Sequence, residues 1–210
     1  RDLRSIGFTM EQIREYLEHH TVSSSLSMLE DEKEAITKQM QHLQKLQKNV
    51  EHRLNTIHSA FSLPLDEIHL MTLPPRHCHR LFERYKHEEE MDFLMKQLIN
   101  LNQNRLYIIG SNQMGTMISL PSLLKKKTLS YQSVFLIDEE GADLIDGGDY
   151  LCVTYRGNYE QSAYWGQQLA QYAHAHKFKI RGDLLEILWI DIHTTSDESE
   201  YITQLQLPIA

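Results

Sequence analysis

The sequence predicts an α+β protein in which a long dimerising coiled-coil helix is followed by a pseudo-twofold antiparallel-sheet domain with two helices. Apolar residues recur in steps of three and four over about five heptads near the start of the chain, which is typical of a coiled coil. After Pro64 the pattern changes to strand-like and helix-like segments, and the order strand, helix, strands occurs twice.

The coiled-coil pattern lies within residues 22–63, and Pro64 ends it because proline removes a backbone donor and clashes inside a helix. Lys33 and Gln47 are polar interruptions that would fix the pairing register. A stripe of this length cannot be buried on one small domain, so we expect a homodimer. The alternative is a helix that lies across its own C-terminal domain. The apolar seam positions are Leu26, Leu29, Ile36, Met40, Leu43, Val50, Leu54, Ile57 and Phe61.

The chain from residue 64 onward predicts a sheet with two helices. Alternating or continuous apolar runs predict strands over 68–73, 106–120, 129–137, 149–155, 184–192 and 201–207. Helical spacing predicts helices over 88–102 and over 159–176. The inward residues of the first helix are Met91, Leu94, Met95, Leu98 and Leu101. With both helices on one face, the other face or the seam between the two halves is free to form a concave site.

The charge and the cysteines of the sequence indicate the kind of ligand and the compartment to expect. The net charge is −8, of which residues 65 to 210 carry −7. Because DNA affinity comes from Lys and Arg on phosphates, this part should not hold DNA and suits a cationic ligand better. Cys78 and Cys152 have no paired spacing, which favours reduced thiols in a cytoplasm. No run of 18 apolar residues is present, so we expect no membrane span.

The stretch GDLLEILWIDI, residues 182–192, places two acids inside an apolar strand. Strand alternation puts Glu186 with Leu188 on one face, and Asp191 with Trp189 on the other. Both faces are mostly apolar, so simple exposure explains neither acid. A buried carboxylate is costly unless it is paired or hydrogen-bonded.

Two further clusters invite a functional interpretation. His77, Cys78 and His79 are metal-ligating types, yet their spacing matches no zinc pattern, and we expect no metal. The run 125–127 of three lysines is most simply a solvated loop, the alternative being a contact with DNA or another subunit.

The residues RDLRSIGFTMEQIREYL resemble the end of the DNA-binding domain of MerR-family transcription regulators. GDYLCVTYRGNYEQSAYWGQQLAQYA followed by IRGDLLEILWIDI resembles the gyrase-inhibitor-like effector domain of the multidrug-binding branch. The resemblance implies three parts: a remnant of the winged-helix domain (1–21), the dimerisation helix (22–63) and the effector domain (64–210). It also implies promoter DNA as a partner, bound through a helix-turn-helix that would precede this sequence.

In that branch a glutamate in the strand after the second helix lies at the base of an aromatic-lined pocket and meets lipophilic cations. By motif position this glutamate is Glu186, and the alternative is an edge position or a structural hydrogen bond. Aromatic faces would add cation–π attraction, although each ring could instead be ordinary core packing. The candidate ligand-binding aromatics are Tyr107, Tyr131, Phe135, Tyr150, Tyr155, Tyr164 and Trp189.

The expected protein is therefore a cytoplasmic, ligand-responsive transcription regulator that forms a homodimer and binds an amphipathic, preferably cationic effector. We expect no cofactor, no metal and no catalytic residues. Two alternatives stay open. Some gyrase-inhibitor-like domains are hydrolases, in which Glu186 with Tyr150 or Tyr155 could act as base and proton donor. The chain could also be a dimerisation scaffold without a ligand.

Overall fold

The computed structural model describes residues 9–11, 14, 21–86, 88–101, 113–125 and 129–210. They belong to two compact units, Arg1–Glu51 and His52–Ala210. Most of the predicted winged-helix remnant and the predicted strand residues 106–112 lie outside the described residues.

A 40-residue helix, α1, runs over Val22–Phe61. It begins at a reciprocal cap: the Ser24 N–H donates to Thr21 Oγ1 at 3.1 Å, and the Thr21 N–H donates to Ser24 Oγ at 2.7 Å. It ends three residues before Pro64, where Ser62 and Leu63 close a tighter turn. Most of the predicted seam is exposed in the single chain, namely Leu26, Leu29, Ile36, Met40, Leu43, Val50, Leu54 and Phe61.

The rest of the second unit is built on one eight-stranded antiparallel sheet in the order β1-β6-β8-β7-β3-β4-β2-β5. The strands are β1 His69–Leu73, β2 Arg76–Leu81, β3 Met114–Ile118, β4 Tyr131–Ile137, β5 Asp143–Ile145, β6 Gly148–Arg156, β7 Leu184–Ile190 and β8 Ile202–Pro208. The helices are α2 Glu88–Leu101, α3 Leu120–Leu124 and α4 Gln161–Ala175, with a 3₁₀ turn at Glu198–Glu200.

The predicted pseudo-twofold arrangement is confirmed. In one half, β2, α2, β3 and β4 follow one another, and in the other half β6, α4, β7 and β8 do so. In each half the last strand lies between the first two, and one further strand, β5 or β1, is added at the outer edge. The halves meet where β3 pairs with β7, so this pair is the seam of the domain.

The two faces of the sheet carry separate apolar clusters. One cluster joins the helices to the sheet through Leu94 and Leu98 of α2, Leu169 of α4, and Leu188 and Leu205 of the strands. We call this the helix face. The opposite cluster consists of Cys78, Phe135, Ile145, Tyr150, Cys152, Leu185 and Ile187.

The face opposite the helices is concave. The Arg76 side chain on β2 donates to the Gln206 side chain on β8 at 2.8 Å. Three strands separate β2 from β8 in the sheet order. On a flat sheet this separation would be about 19 Å, four spacings of about 4.8 Å, which no arginine spans. The sheet therefore curls around this face.

Several expectations need correction. Leu101 was expected to face inward but is 68% exposed, because it is the last residue of α2. Strands β2 and β5 and helix α3 were not predicted. The sequence of β2, RHCHRL, lacks an apolar alternation because arginines rather than apolar residues flank Cys78 on its inner side. Among the described residues, no helix has the length and apolar character needed to cross a membrane.

Candidate functional site

Glu186 lies in the middle of β7, at the seam between the two halves. Its Cα is paired with Thr116 of β3 on one side and with Leu205 of β8 on the other. It is only 1% exposed. Glu186 shares the helix face with Leu184 and Leu188, so its carboxylate points towards the layer of helices.

Hydroxyl groups hold the Glu186 carboxylate from both halves of the domain. Thr116 Oγ1 of β3 donates to Oε2 at 2.8 Å, and Ser162 Oγ of α4 donates to Oε1. The Tyr155 hydroxyl lies 2.6 Å from Ser162 Oγ. Because the Ser162 proton is directed to Glu186, Tyr155 donates to Ser162, and a donor chain runs from Tyr155 through Ser162 to Glu186.

The position of Ser162 depends on the close approach of α4 to the sheet. Gly166 follows Ser162 by four residues, so both lie on the same face of the helix. A Cβ at Gly166 would lie 2.8 Å from Leu123 Cδ1 and 2.9 Å from Leu184 Cδ2, which is closer than atoms normally pack. Glycine at this position lets α4 bring Ser162 within hydrogen-bonding distance of β7.

Two stacked pairs of tyrosines lie on the helix face. Tyr85 stacks on Tyr131 with ring centroids 4.7 Å apart, and Tyr159 stacks on Tyr201 at 5.4 Å. Burial raises the pKa of Tyr85, and the charge of Glu186 raises it further. Burial also raises the pKa of Tyr159, followed by the charges of Asp191 and Glu186. Both phenols therefore keep their protons at neutral pH and remain hydrogen-bond donors.

The hydroxyl of Tyr85 is buried beside the Thr116 side chain, and within the described residues no partner meets the distance and angle of a hydrogen bond. Tyr85 also lines a groove of about 360 Å³ together with Glu83, Arg84, Glu90, Phe93 and Leu94. The Phe93 side chain is 68% exposed there. This groove offers an apolar aromatic wall, two carboxylates and one guanidinium, and it shares Tyr85 with the surroundings of Glu186.

The structure divides the predicted ligand-binding residues between the two faces. Tyr131 and Tyr155 belong to the helix-face cluster, as Glu186 does by its position. Phe135, Tyr150 and Trp189 lie on the concave face and cannot line the same pocket. Tyr164 is 58% exposed on α4 and packs edge-on against Trp165, while Tyr107 lies outside the described residues.

Spacing explains why some of the candidate residues lie on the face opposite Glu186. Glu186 and Trp189 are three residues apart on one strand, and such positions point to opposite faces. Tyr131 and Phe135 are four apart, yet a register shift between Met117 and Ile118 of β3, where β4 pairs, puts them on different faces.

Sequence reasoning missed the polar residues that hold Glu186 and three members of the two stacked tyrosine pairs. Strand alternation could have placed Tyr201 on the face of Leu205, since they are four residues apart. No local signal identifies Ser162, because its role depends on how α4 crosses β7. The missed residues are Tyr85, Thr116, Tyr159, Ser162 and Tyr201.

The second acid of the apolar stretch has a different role. β7 ends at Ile190, two residues earlier than predicted, and Asp191 caps the turn that follows. Its Oδ1 accepts the His193 N–H at 3.1 Å, and its carbonyl accepts the Thr194 N–H at 2.9 Å. Burial raises the pKa of Asp191, and His193 partly offsets this effect.

The three residues of the histidine cluster lie in different surroundings on β2. His77 is exposed, Cys78 is fully buried, and His79 Nε2 lies 3.5 Å from Asp138 Oδ2. In the part of the chain that the structure describes, no group of three or more His, Cys, Asp or Glu side chains could hold a metal ion. Lys125 follows the end of α3, and the other two lysines of that run are outside the described residues.

Comparison with solved structures finds this fold in EcmrR. The crystal structure of the EcmrR C-terminal domain matches with a TM-score of 0.56 and 13% identity, over 69% of this chain and 97% of that chain. The cryo-EM structure of an EcmrR–DNA complex in EcmrR-RPo matches with a TM-score of 0.55 and 15% identity, over 99% of this chain and 79% of that chain. No sequence profile of a known family and no curated protein matches.

A more distant match is the structure of SAV2435 bound to tetraphenylphosphonium, with a TM-score of 0.45 and 15% identity, over 69% of this chain and 94% of that chain. That TM-score is too low to relate its ligand to this chain. At identities of this order a likeness shows the fold alone. The expected resemblance to the effector-binding domain of MerR-family regulators is confirmed at that level.

We predict that Ser162→Ala lowers the free energy of unfolding by about 1 to 3 kcal/mol, because a buried carboxylate loses a donor and Tyr155 loses its acceptor. Urea unfolding measures the change. Ser62→Ala, which removes an exposed helix-end hydroxyl, is the control and should change stability by less than about 0.5 kcal/mol. In the Glu186→Gln background the loss from Ser162→Ala should shrink, and an equal loss in both backgrounds would contradict a charge-assisted bond.

We predict that Asp191→Asn changes the pH dependence of stability. The folded-state pKa of Asp191 is raised, so the folded chain holds this proton more tightly than the unfolded chain does. The resulting stabilisation is present below the ordinary pKa of about 3.9 and is lost as pH rises through the folded value. The free energy of unfolding of the wild type should therefore fall, relative to the variant, as pH rises above about 4 in urea titrations. Parallel curves would refute the assignment.

Proposed function

We propose that the chain is the dimerisation and effector-binding part of a ligand-responsive transcription regulator. Its helix face binds bulky aromatic molecules, with cations preferred, and a dimeric coiled coil transmits binding to a DNA-binding domain. In this proposal residues 1–21 are the remnant of the DNA-binding domain, residues 22–63 form the dimerisation helix and residues 64–210 form the effector domain. The EcmrR fold, including its occurrence in a complex with DNA, supports the general class.

The observation that carries the proposal is a carboxylate buried at the seam and oriented by hydroxyl groups. Thr116 and Ser162 hold the two oxygens of Glu186, so the carboxylate has a defined direction. Burial makes its negative charge costly, and a cation brought near it would relieve that cost. Hydroxyl donors stabilise the negative charge of the carboxylate by hydrogen bonding and fix the direction in which it faces.

Aromatic surface lies beside this charge. Tyr85 stacks on Tyr131 and lines the groove together with Phe93 and Leu94. The charge of Glu186 raises the pKa of Tyr85, so the two side chains interact electrostatically. An aromatic cation in this groove would stack on Tyr85 and Phe93, and each cation–π contact would contribute about 0.5 to 2 kcal/mol. Glu83 and Glu90 at the groove add negative potential, in line with the acidic charge of this part of the chain.

The exposed stripe of α1 supports self-pairing. Eight large apolar residues of the predicted seam are at least 41% exposed in the single chain. Such a surface on a soluble helix is the usual mark of a protein contact. A second copy with the same stripe satisfies it most simply, and the family resemblance implies an antiparallel pair.

One feature supports the hydrolase alternative. In the hydrogen-bonded chain Tyr155–Ser162–Glu186, Ser162 resembles a nucleophile and Glu186 a base beside it. However, Ser162 and Tyr155 are both fully buried, and each hydroxyl is engaged within the chain. Both hydroxyls thus serve to hold the buried carboxylate. A dimerisation scaffold without a ligand would be favoured if a thermal-shift screen of amphipathic compounds stabilised nothing.

We predict that Glu186→Gln weakens the binding of tetraphenylphosphonium, a bulky aromatic cation, by about 1 to 3 kcal/mol, because the variant keeps shape but loses charge. Binding of the neutral triphenylphosphine oxide should be little affected. Calorimetry measures both ligands.

The control for net charge is Glu139→Gln. Glu139 is exposed in the turn after β4, so this substitution removes the same charge at a position away from the β3–β7 pair. It should leave both affinities unchanged. Equal loss of both ligands in Glu186→Gln would mean that Glu186 supports the fold instead, and no loss of either would place the pocket elsewhere.

We predict that Leu43→Glu combined with Val50→Glu converts the protein to a monomer in sedimentation velocity, because two charges would be buried in the seam of each helix. The control, Gln41→Glu with Asn55→Glu, adds the same charge at exposed positions outside the seam and should leave a dimer. If the seam variant stays dimeric, the seam assignment is wrong.

A further inference from the structure

The concave face of the sheet has a charge character opposite to that of the Glu186 site. Arg76 and Arg80 of β2 alternate with Cys78 on this face. The guanidinium of Arg76 lies 5.9 Å from the ring centroid of Tyr150, and that of Arg80 lies 6.0 Å from the ring centroid of Phe135. Burial lowers the pKa of Arg76, although not enough to remove its charge. Two arginines are thus held against an apolar surface.

These guanidinium groups are incompletely satisfied. The Nε atoms of Arg76 and Arg80 are buried and have no acceptor among the described residues. Within that part of the chain, no carboxylate oxygen lies within 4.0 Å of a side-chain nitrogen of Arg76, Arg80 or Arg181. Arg76 donates to Gln206, and Arg181 donates to the Ile209 carbonyl at 2.6 Å. Buried donors without acceptors are costly, and an anion would satisfy them.

A cavity of about 150 Å³ opens between Arg80 and Arg181. Its apolar lining consists of Met117, Leu144, Ile145, Leu185 and Pro208, with Tyr150 beside them. Arg76 and Arg181 both lower the pKa of Tyr150 against the larger effect of burial, so both guanidiniums lie near its hydroxyl. The cavity therefore combines an apolar floor with positive charge at its sides.

Two acids also line the cavity, and one of them is already engaged. Asp183 Oδ1 accepts the Leu120 N–H at 2.9 Å at the start of α3. Asp146 is exposed, and its carbonyl accepts the Tyr150 hydroxyl. Asp143 Oδ2 also accepts the Arg80 backbone N–H at 3.1 Å, so the carboxylates near the cavity balance its guanidiniums in number, and an anion would be held by the guanidinium donors that lack acceptors.

We propose that this cavity is a second ligand site, which takes a small carboxylate with an apolar body. The carboxylate would lie between Arg80 and Arg181, a geometry in which charge-assisted, paired hydrogen bonds are strong. A cavity of about 150 Å³ accommodates a molecule the size of benzene, so the ring of benzoate fits the apolar part of the cavity while its carboxylate reaches the guanidiniums. The site lies on the face opposite Glu186 and does not depend on the proposed cation site.

The two sites share their strands. Met117 and Leu185, which line the cavity, are the chain neighbours of Thr116 and Glu186. A carboxylate bound on the concave face would thus contact the same β3–β7 pair that holds the acid on the helix face.

Calorimetry with benzoate, the neutral benzamide and the cationic benzylammonium at constant ionic strength tests the proposal. Benzoate should bind most tightly, and Arg80→Gln or Arg181→Gln should each weaken it by about 10-fold or more, the scale of one charge-assisted hydrogen bond. Benzamide affinity should not change. Arg156→Gln is the control, because this exposed arginine donates to the Ser199 carbonyl away from the cavity.

Thermal unfolding of each variant shows whether it is folded, and Arg80→Lys, which keeps the charge, is the substitute if Arg80→Gln does not fold. Glu186→Gln should leave benzoate affinity unchanged, which separates this site from the cation site. The proposal is overturned if benzamide or benzylammonium binds as tightly as benzoate, if Arg156→Gln weakens benzoate equally, or if Glu186→Gln abolishes its binding.

Discussion

The pairing of β3 with β7 is the constraint on which the rest of this domain depends. It joins the two halves of the sheet, and it places Thr116 directly opposite Glu186. The carboxylate can stay buried because one half supplies a threonine hydroxyl and the other supplies Ser162 from its helix. A carboxylate at an edge strand would be solvated and would need no such partners. At the seam its charge is shielded from water, directed, and within electrostatic range of two buried tyrosines.

Strand alternation then separates two chemistries on one sheet. Successive residues of β3 and β7 face opposite sides, so Thr116 and Glu186 meet the helices while Met117 and Leu185 line the concave face. The helix face holds the Glu186 carboxylate among tyrosines. The concave face holds the guanidinium groups of Arg76 and Arg80 on β2 and of Arg181 before β7. The sheet therefore lies between Glu186 and the arginines of β2, so these charges do not pair directly with each other.

Some of this organisation could be predicted from residues alone. The heptad spacing predicted a long helix, and the observed Val22–Phe61 agrees with it because Thr21 with Ser24 and Pro64 are local start and stop signals. The doubled order of strand, helix and strands predicted the two halves. Glu186 stood out because both faces of its strand are apolar. By contrast, the sequence did not predict β2, because its arginines and histidines show no apolar alternation. These residues form a strand only in the context of the curled sheet.

The sequence by itself determined the long helix, the two helices of the sheet domain and most of its strands, and that Glu186 is an acid in an apolar place, because these properties depend on neighbours along the chain. Only the tertiary structure decided what surrounds that acid. Thr116, Ser162 and Tyr85 come from three separate elements, and their approach to β7 follows from strand order, helix packing and the register of β3. The concave arginine cavity has the same origin: it exists because the sheet curls, and no short stretch of sequence records that curvature.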